Sequence, residues 1–565
     1  MLHDAGFAFP PLPVNHPTPA IVTQRAAQRL PRIPLLLLCA AYVLPGLFGR
    51  DPWRSADVTA FGFMHRLARG DAELWHPLVG GLPPEGGLLP YWLGAAFIRL
   101  FDGWLDPALA ARLPFALLLA AVLVLTWYTC YHLARTEAAQ PVSFAFGGEA
   151  SPVDYARAIA DGALLALLAT LGLLQLGHET TPELLQLTGV ALLIYALAAS
   201  AVRSAKPRVA IVVALPLMAG SGAPNMAVLL ALVSLAVCWM SHDDRTKRFA
   251  IWVFAALLLA ALTATAFDAW AWRADPRPQL RQVTRLLAWF TWPAWPLAAW
   301  TLWRWRGHLL KRHIAVPLFT AAVAVGACIV MNGYDRALML ALPSLAVLAG
   351  FSLPTLRRGV ASAIDWFSVF FFSFCALAVW VIYISLQTGV PAKPAANVMK
   401  LAPGFEPGFS LAALVPALLG TLAWLWLVRW RAGRSREVLW RSLVLPASGV
   451  ALCWLLLMTL CLPVLDYARS ERPLVLRLGV HLPRDACIEA RGLARSQVAA
   501  LEALGGWHVY ASHVLNAPRC DILMLPGGHQ APAPEGWTQV ARERRPTDRG
   551  GDYIYVFRRA QADRP

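Results

Sequence analysis

Directly behind the first strongly apolar run stands Gly49-Arg50-Asp51-Pro52-Trp53-Arg54-Ser55-Ala56-Asp57-Val58, which places two carboxylates, two arginines and a tryptophan within eight residues. Carboxylates of this kind do acid–base work, and arginines hold the charge of an anion. Asp57 also fits the first turn of a helix that starts near Ser55, where acids are favoured, and Asp51-Pro52 also suits the start of a turn. A second pair, His178-Glu179, sits in a short polar turn at a helix end, where it can face the same cavity. A lone His-Glu pair falls short of a metal site, so no metal ligand is assigned.

The elements that carry these residues must lie in lipid. Of 565 residues, 58% are hydrophobic and only 15% charged, with a mean hydropathy of +0.53, whereas soluble domains are about 25% charged. The net charge of +16 does not point to nucleic acid, because the cations punctuate apolar runs instead of clustering on a polar face. Thirteen runs are apolar enough to span: 33–49, 107–133, 158–176, 184–202, 209–219, 224–240, 249–268, 284–303, 314–331, 336–354, 365–387, 409–429 and 442–463. The fifth and sixth are short pieces split at Ser221-Gly222-Ala223-Pro224, and a re-entrant hairpin fits them as well as two spans.

Basic residues in short loops set orientation. With Arg25, Arg29 and Arg32 in the cytoplasm, the groups Arg203/Lys206/Arg208, Arg245/Lys247/Arg248, Arg304/Arg306/Lys311/Arg312, Arg357/Arg358 and Arg429/Arg431/Arg434/Arg436 all fall inside. Thirteen crossings leave the C-terminus outside. The expected organisation is a cytoplasmic segment 1–32, a transmembrane domain 33–465 with a large first external loop 50–106, and an external soluble domain 466–565. That domain carries an amphipathic helical pattern at Ser496 to Leu504 and strand-like runs at Cys520 to Leu525 and Tyr553 to Phe557, which predicts a small α/β unit. Within the first loop, Ser55 to Arg69 reads as a polar helix and Leu88 to Ile98 as an interfacial stretch too short to span. The second external segment, 388–408, is rich in Pro and Gly. Seven of the nine cysteines lie in apolar segments as small core residues; Cys487 and Cys520 are placed to pair if their domain is outside.

The loop carboxylate, the interfacial stretch and five further motifs, Pro90-Tyr91-Trp92-Leu93, Ala111-Arg112-Leu113-Pro114, Trp292 to Ala298, Asp335 to Pro343 and Leu462 to Ser470, together resemble the GT-C glycosyltransferases of the aminoarabinose-transferase and protein-O-mannosyltransferase superfamily. The resemblance covers nearly the whole chain. It implies an all-α polytopic membrane protein of about 13 transmembrane helices in a bacterial inner membrane, with its small C-terminal α/β domain in the periplasm. It also implies an inverting transfer of sugar from a polyprenyl-phosphate donor to a lipid, glycan or protein acceptor. A lipid phosphate leaves without a general acid, so the protein must supply cations for its charge and a carboxylate for the acceptor's proton. Asp57 matches the family's catalytic acid by position, with Asp51 as the alternative. The phosphate-binding candidates are external arginines that break the inside-positive pattern, Arg54 and Arg336 first, the latter beside Tyr334, and then the cluster Arg273, Arg277 and Arg281. Two family lysines are missing: Glu85-Gly86-Gly87 stands where Lys-Pro-Pro-Leu is expected, leaving Glu85 as the charged group there, and Gly222-Ala223-Pro224 stands in place of Lys-Gly-Pro. Asp161, near the inner end of the third run, is expected in a local ion pair with the 154–157 loop. The residues leave the cofactor open, with a divalent metal conceivable, and two other readings remain: a flippase of lipid-linked substrates and a non-catalytic family member.

Overall fold

The computed structural model describes residues 18–53, 55–241, 243–270, 279–432, 438–511, 520–528, 532–548 and 552–560. Its helices in chain order are α1 (Arg32–Val43), α2 (Ala56–Arg69), α3 (Leu89–Leu100), α4 (Pro107–Ala134), α5 (Pro152–Ala169), α6 (Leu171–Leu176), α7 (Pro182–Ala199), α8 (Ala205–Gly220), α9 (Pro224–Met240), α10 (Asp244–Ala266), α11 (Leu280–Phe290), α12 (Ala294–Arg304), α13 (Arg312–Val330), α14 (Asp335–Met339), α15 (Leu342–Ser352), α16 (Arg358–Thr388), α17 (Ala392–Leu401), α18 (Leu411–Ala432), α19 (Arg441–Leu457), α20 (Leu462–Arg469), α21 (Arg472–Gly479) and α22 (Arg495–Gly505).

All thirteen apolar runs are helical, but three are broken into α5/α6, α11/α12 and α14/α15. Among the described residues six helices are long and apolar enough to cross a membrane, or seven if α19 and α20, bent by 73°, form one span. Most of the difference from thirteen is one of length: α8 and α9, at 16 and 17 residues, rise only about 25 Å against a hydrocarbon core of about 30 Å, whereas the 18-residue α5 is long enough but carries Asp154, Arg157 and Asp161. Burial follows position in the bundle. The central α5 and α7 are enclosed along nearly their whole length, whereas α18 leaves Leu418, Leu422, Leu425 and Trp426 exposed, as a helix facing acyl chains must. Close central packing rests on small side chains, with Gly350 of α15 set against Ala163 of α5.

Side chains cap the starts of α4, α5 and α10. Asp106 accepts from the N–H groups of Ala108 (2.9 Å) and Leu109 (3.2 Å) at the start of α4, followed by Pro107 at the first helical position. Ser151 caps α5 in the same way. Asp161 corrects an expectation: its oxygens accept from the Leu30 N–H (2.9 Å) and the Trp127 indole N–H (2.8 Å), while Arg157 turns to Asp154 at 3.9 Å. Buried at 4% exposure, the carboxylate ties the segment before α1 to α4, which local sequence cannot reveal.

The C-terminal unit is a five-stranded sheet in the order β2-β1-β3-β5-β4, with β1 (Cys487–Ala490), β2 (His508–Ala511), β3 (Ile522–Gly527), β4 (Trp537–Glu543) and β5 (Tyr553–Arg559). The first three are parallel, with α22 as the β1–β2 crossover, and β5 runs antiparallel to β3 and β4. The expected helix and two strands are present; β1, β2 and β4 were too short or too polar to read. Cys487 and Cys520 form a disulfide with Cα atoms 5.1 Å apart, and the other seven cysteines are free.

This unit docks on the first loop. α22 lies along α2, Arg66 meets Glu502 at 3.3 Å, the Gly80 N–H donates to Glu502 (3.1 Å), and the Ala511 N–H donates to the Gly80 carbonyl (3.0 Å). Gly80 has φ +60°, and a Cβ there would stand 2.2 Å from Val498 Cγ1. Gly80→Ala is therefore expected to weaken this docking by about 1–3 kcal/mol. Limited proteolysis should then release the C-terminal unit faster than in the parent; equal cleavage rates would show that the contact is dispensable.

Candidate active site

The loop after α1 folds back so that Arg50, Trp53 and Asp57 meet the turn between α6 and α7. Asp57 lies in the first turn of α2, as an N-terminal acid should, but its carboxylate is 1% exposed. Oδ2 meets Arg50 at 3.2 Å and accepts the Trp53 N–H at 3.0 Å; Oδ1 accepts the Thr180 N–H at 2.8 Å and its hydroxyl at 2.6 Å. Burial opposes ionisation, yet Arg50, Arg112 and the Thr180 bonds outweigh it and hold the carboxyl below its usual range. Arg50 is fixed in turn by the carbonyls of Gly46 (2.7 Å) and His178 (2.6 Å), and Arg112 binds the carbonyls of Leu47 (3.2 Å) and Arg50 (2.5 Å).

The same turn carries the second half of the cluster. Glu179, 4% exposed, meets Arg336 at 2.5 Å and accepts from the Gln175 amide at 3.0 Å. Arg336 also binds the Thr181 hydroxyl (2.9 Å) and lies 3.5 Å from Glu183, whose other oxygen accepts the Tyr334 hydroxyl at 2.8 Å. Burial raises the Glu179 pKa, Arg336 opposes it, and the Asp57 charge adds to the rise. Asp57 and Glu179 thus face each other's field across Thr180, one low and one high, as groups with different proton tasks do.

His178 takes part through its carbonyl. Both ring nitrogens face carbonyls, of Leu174 at 2.6 Å and Tyr42 at 2.9 Å. Each contact favours a proton, but burial is the larger effect and drives the pKa down to about 4. Each ring nitrogen is held against a carbonyl, so neither is available to a substrate.

Asp51 belongs to a neighbouring cluster. It binds the Ser470 hydroxyl (2.8 Å) and Arg472 through Nε (2.8 Å) and Nη2 (2.6 Å), while Asp466 accepts both the Asp51 N–H and the Trp53 indole N–H at 2.9 Å. Burial would raise the Asp51 pKa, but the Arg472 and Ser470 bonds prevail and lower it. Glu85 is exposed and lies 3.4 Å from Arg495 of α22, apart from both clusters. Arg281 is exposed on α11; Arg54, Arg273 and Arg277 lie outside the described residues. Among the described residues no three His, Cys, Asp or Glu side chains converge on one cation position.

Sequence reading missed Arg50 and Arg469. Arg50 is in the quoted loop, but its pairing with Asp57 depends on a fold-back that spacing does not encode. Arg469, at the end of α20, stacks on Trp53 with its guanidinium carbon 4.9 Å from the ring centroid, and the Arg50 guanidinium carbon stands 4.7 Å from the same centroid. It lies within the electrostatic reach of Glu179 and makes no hydrogen bond among the described residues.

The two stretches that lack the expected lysines pack on each other: a Cβ on Gly87 would stand 1.9 Å from the Gly220 carbonyl oxygen and 2.7 Å from the Gly222 nitrogen. Glycine is required for that approach. Beside α6 opens a cleft of about 820 Å³ lined by Leu171, Trp289, Trp292, Trp295, Phe367 and Phe371. α6, whose six residues rise about 9 Å, leads from this apolar cleft to the Glu179 turn.

No family model and no curated protein matches the sequence. Two solved structures do share its architecture. ArnT from Cupriavidus metallidurans bound to undecaprenyl phosphate aligns with 93% of this chain and 97% of its own, at a TM-score of 0.59 and 13% identity. The apo state of ArnT from the same organism aligns with 93% and 96%, at 0.56 and 14%. The chain therefore has the GT-C fold that its motifs suggested and is built as a multi-pass membrane protein with a small C-terminal sheet; at this identity the likeness carries the fold and no residue's role.

Proposed function

We propose that the chain is a glycosyltransferase of the bacterial inner membrane that moves a sugar from a polyprenyl-phosphate donor to a lipid A, glycan or protein acceptor on the periplasmic face. The observation that carries this reading is the placement of a carboxylate–arginine cluster at the end of a short helix whose other end borders an apolar aromatic cleft. The cleft suits an isoprenoid chain, and the cluster suits the phosphate and the reacting sugar. ArnT, of the same fold, is described bound to undecaprenyl phosphate. In this reading residues 1–32 are cytoplasmic, 33–465 span the membrane, and 466–565 form a periplasmic domain lying over the first loop.

The chemistry assigns one task to each charge. Arg469 takes up the phosphate charge as the anomeric bond breaks, standing in for the lysines that this chain lacks, while Arg336 stays paired with Glu179 and Glu183. Asp57 receives the acceptor's proton. Its Oδ1 now holds the Thr180 hydroxyl at 2.6 Å, and an acceptor hydroxyl entering that position would hand its proton to the same oxygen while attacking the anomeric carbon from the face opposite phosphate. Inversion follows from that single displacement.

The test uses purified protein in liposomes with undecaprenyl-phosphate sugars, following sugar transfer and donor flipping separately. Transfer is expected, and Asp57→Asn should lower kcat by about 10²–10⁴-fold with KM for donor little changed. The saturated hydrogen bonding of Asp57 favours one rival, a folded but non-catalytic scaffold. A folded Asp57→Asn protein that keeps full kcat would remove Asp57 from the chemistry, and translocation without sugar release would replace the transferase by a flippase.

A further inference from the structure

A second cavity, of about 440 Å³, lies at the other end of the bundle, where α4, α7 and α9 end and α13 begins. α7 runs from the Glu179 turn to this cavity, and its 18 residues rise about 27 Å, so the two sites are independent.

The cavity is lined by basic and donor groups that the protein itself leaves unsatisfied. His132 is 3% exposed and its Nδ1 has no partner; His313 is fully buried and neither ring nitrogen has one. Arg312 spends Nη2 on the carbonyls of Leu197 and Ala198 and on the Ser200 hydroxyl at 3.0 Å, while its buried Nε is unpartnered. Each buried polar group left this way costs about 1–3 kcal/mol. Arg135 and Lys311 stand exposed at the rim. Two acids also line the cavity, Glu137 and Asp243, the latter capping α10 through the Thr246 N–H (3.1 Å) and hydroxyl (2.7 Å), so Arg135, Arg312 and Lys311 leave the lining with an excess of positive charge.

We propose that this cavity binds a phosphate group, supplied either by the headgroup of a membrane phospholipid or by a soluble phosphate. The tetrahedral anion takes several N–H donors from different directions, which His132, Arg312, Arg135 and Lys311 provide. Val202, Met240 and Phe319 complete the wall and suit the glycerol and first methylenes of a lipid. Placement at the helix ends sets it at headgroup depth, where basic pockets between spanning helices recruit anionic lipid.

The test titrates the full-length protein in micelles with phosphatidylglycerol, with dioleoylglycerol as the lipid that lacks phosphate, and reads retained lipid by native mass spectrometry. Phosphatidylglycerol should be retained and dioleoylglycerol should not. The double variant Arg135→Gln/Lys311→Gln, at exposed positions that leave the fold alone, should weaken retention at least about tenfold, and His132→Asn should weaken it independently. Inorganic phosphate then separates the sources: displacement at millimolar concentration marks a soluble anion, and resistance marks a lipid headgroup. Retention unaffected by both variants, or equal retention of the two lipids, overturns the site.

Discussion

Arg50→Met is expected to destabilise the protein by about 3–5 kcal/mol, read as a lowered thermal transition of the detergent-solubilised chain. The reason is the company Asp57 would be left in. The two side chains are 2% and 1% exposed at 3.2 Å, and Arg50 also anchors the carbonyls of Gly46 and His178, so its removal strands a buried carboxylate and frees the loop from the α6–α7 turn. Burial penalises a charge far more when its partner is gone than the intact pair contributes. The double variant Arg50→Met/Asp57→Asn should accordingly recover part of the loss, because the charge that needed a partner has gone too. Coupling of less than about 0.5 kcal/mol between the two substitutions would show that they do not act as a pair.

What could be read from the sequence divides along the range of the interactions. Apolar length locates the helical runs because lipid tolerates few alternatives, though among the described residues only six or seven helices are long and apolar enough to span, and the first-turn position of Asp57 follows from the preference of acids for helix N-termini. The breaks at Thr170, Trp292 and Ala341 were not legible, since a run of Leu, Ala and Trp stays apolar whether one helix or two cross it. Nor were α20 and α21, whose polar sequence reads as the start of the soluble domain although α20 returns to the first loop. There Trp53 and Ser470 form a backbone bridge across more than 400 residues. That bridge places Asp51, Asp466 and Arg472 together and brings Arg469 onto Trp53. Motif resemblance drew attention to Leu462 to Ser470, but only the fold shows which of its side chains reaches the cluster.

Arg469→Gln is expected to lower kcat/KM for transfer by about 10²–10³-fold while leaving stability within about 1 kcal/mol of the parent. The other described cations near the cluster are already spent. Arg50 is saturated by Asp57 and two carbonyls, Arg112 binds the carbonyls of Leu47 and Arg50, and Arg336 is shared between Glu179 and Glu183. Among the described residues Arg469 makes no hydrogen bond and rests its face on Trp53, a contact worth about 1 kcal/mol, so its donors are available to a phosphate at no cost to an existing ion pair. Lysine should be a poor substitute, because an ammonium keeps the charge but loses both the flat stack and the forked donors. Arg469→Lys is thus expected to retain charge-dependent donor binding while recovering only part of kcat. Were the Gln variant to transfer sugar at the parent rate with donor KM unchanged, the phosphate would have to be held without Arg469, and Arg336 would need to break from Glu179 to do it.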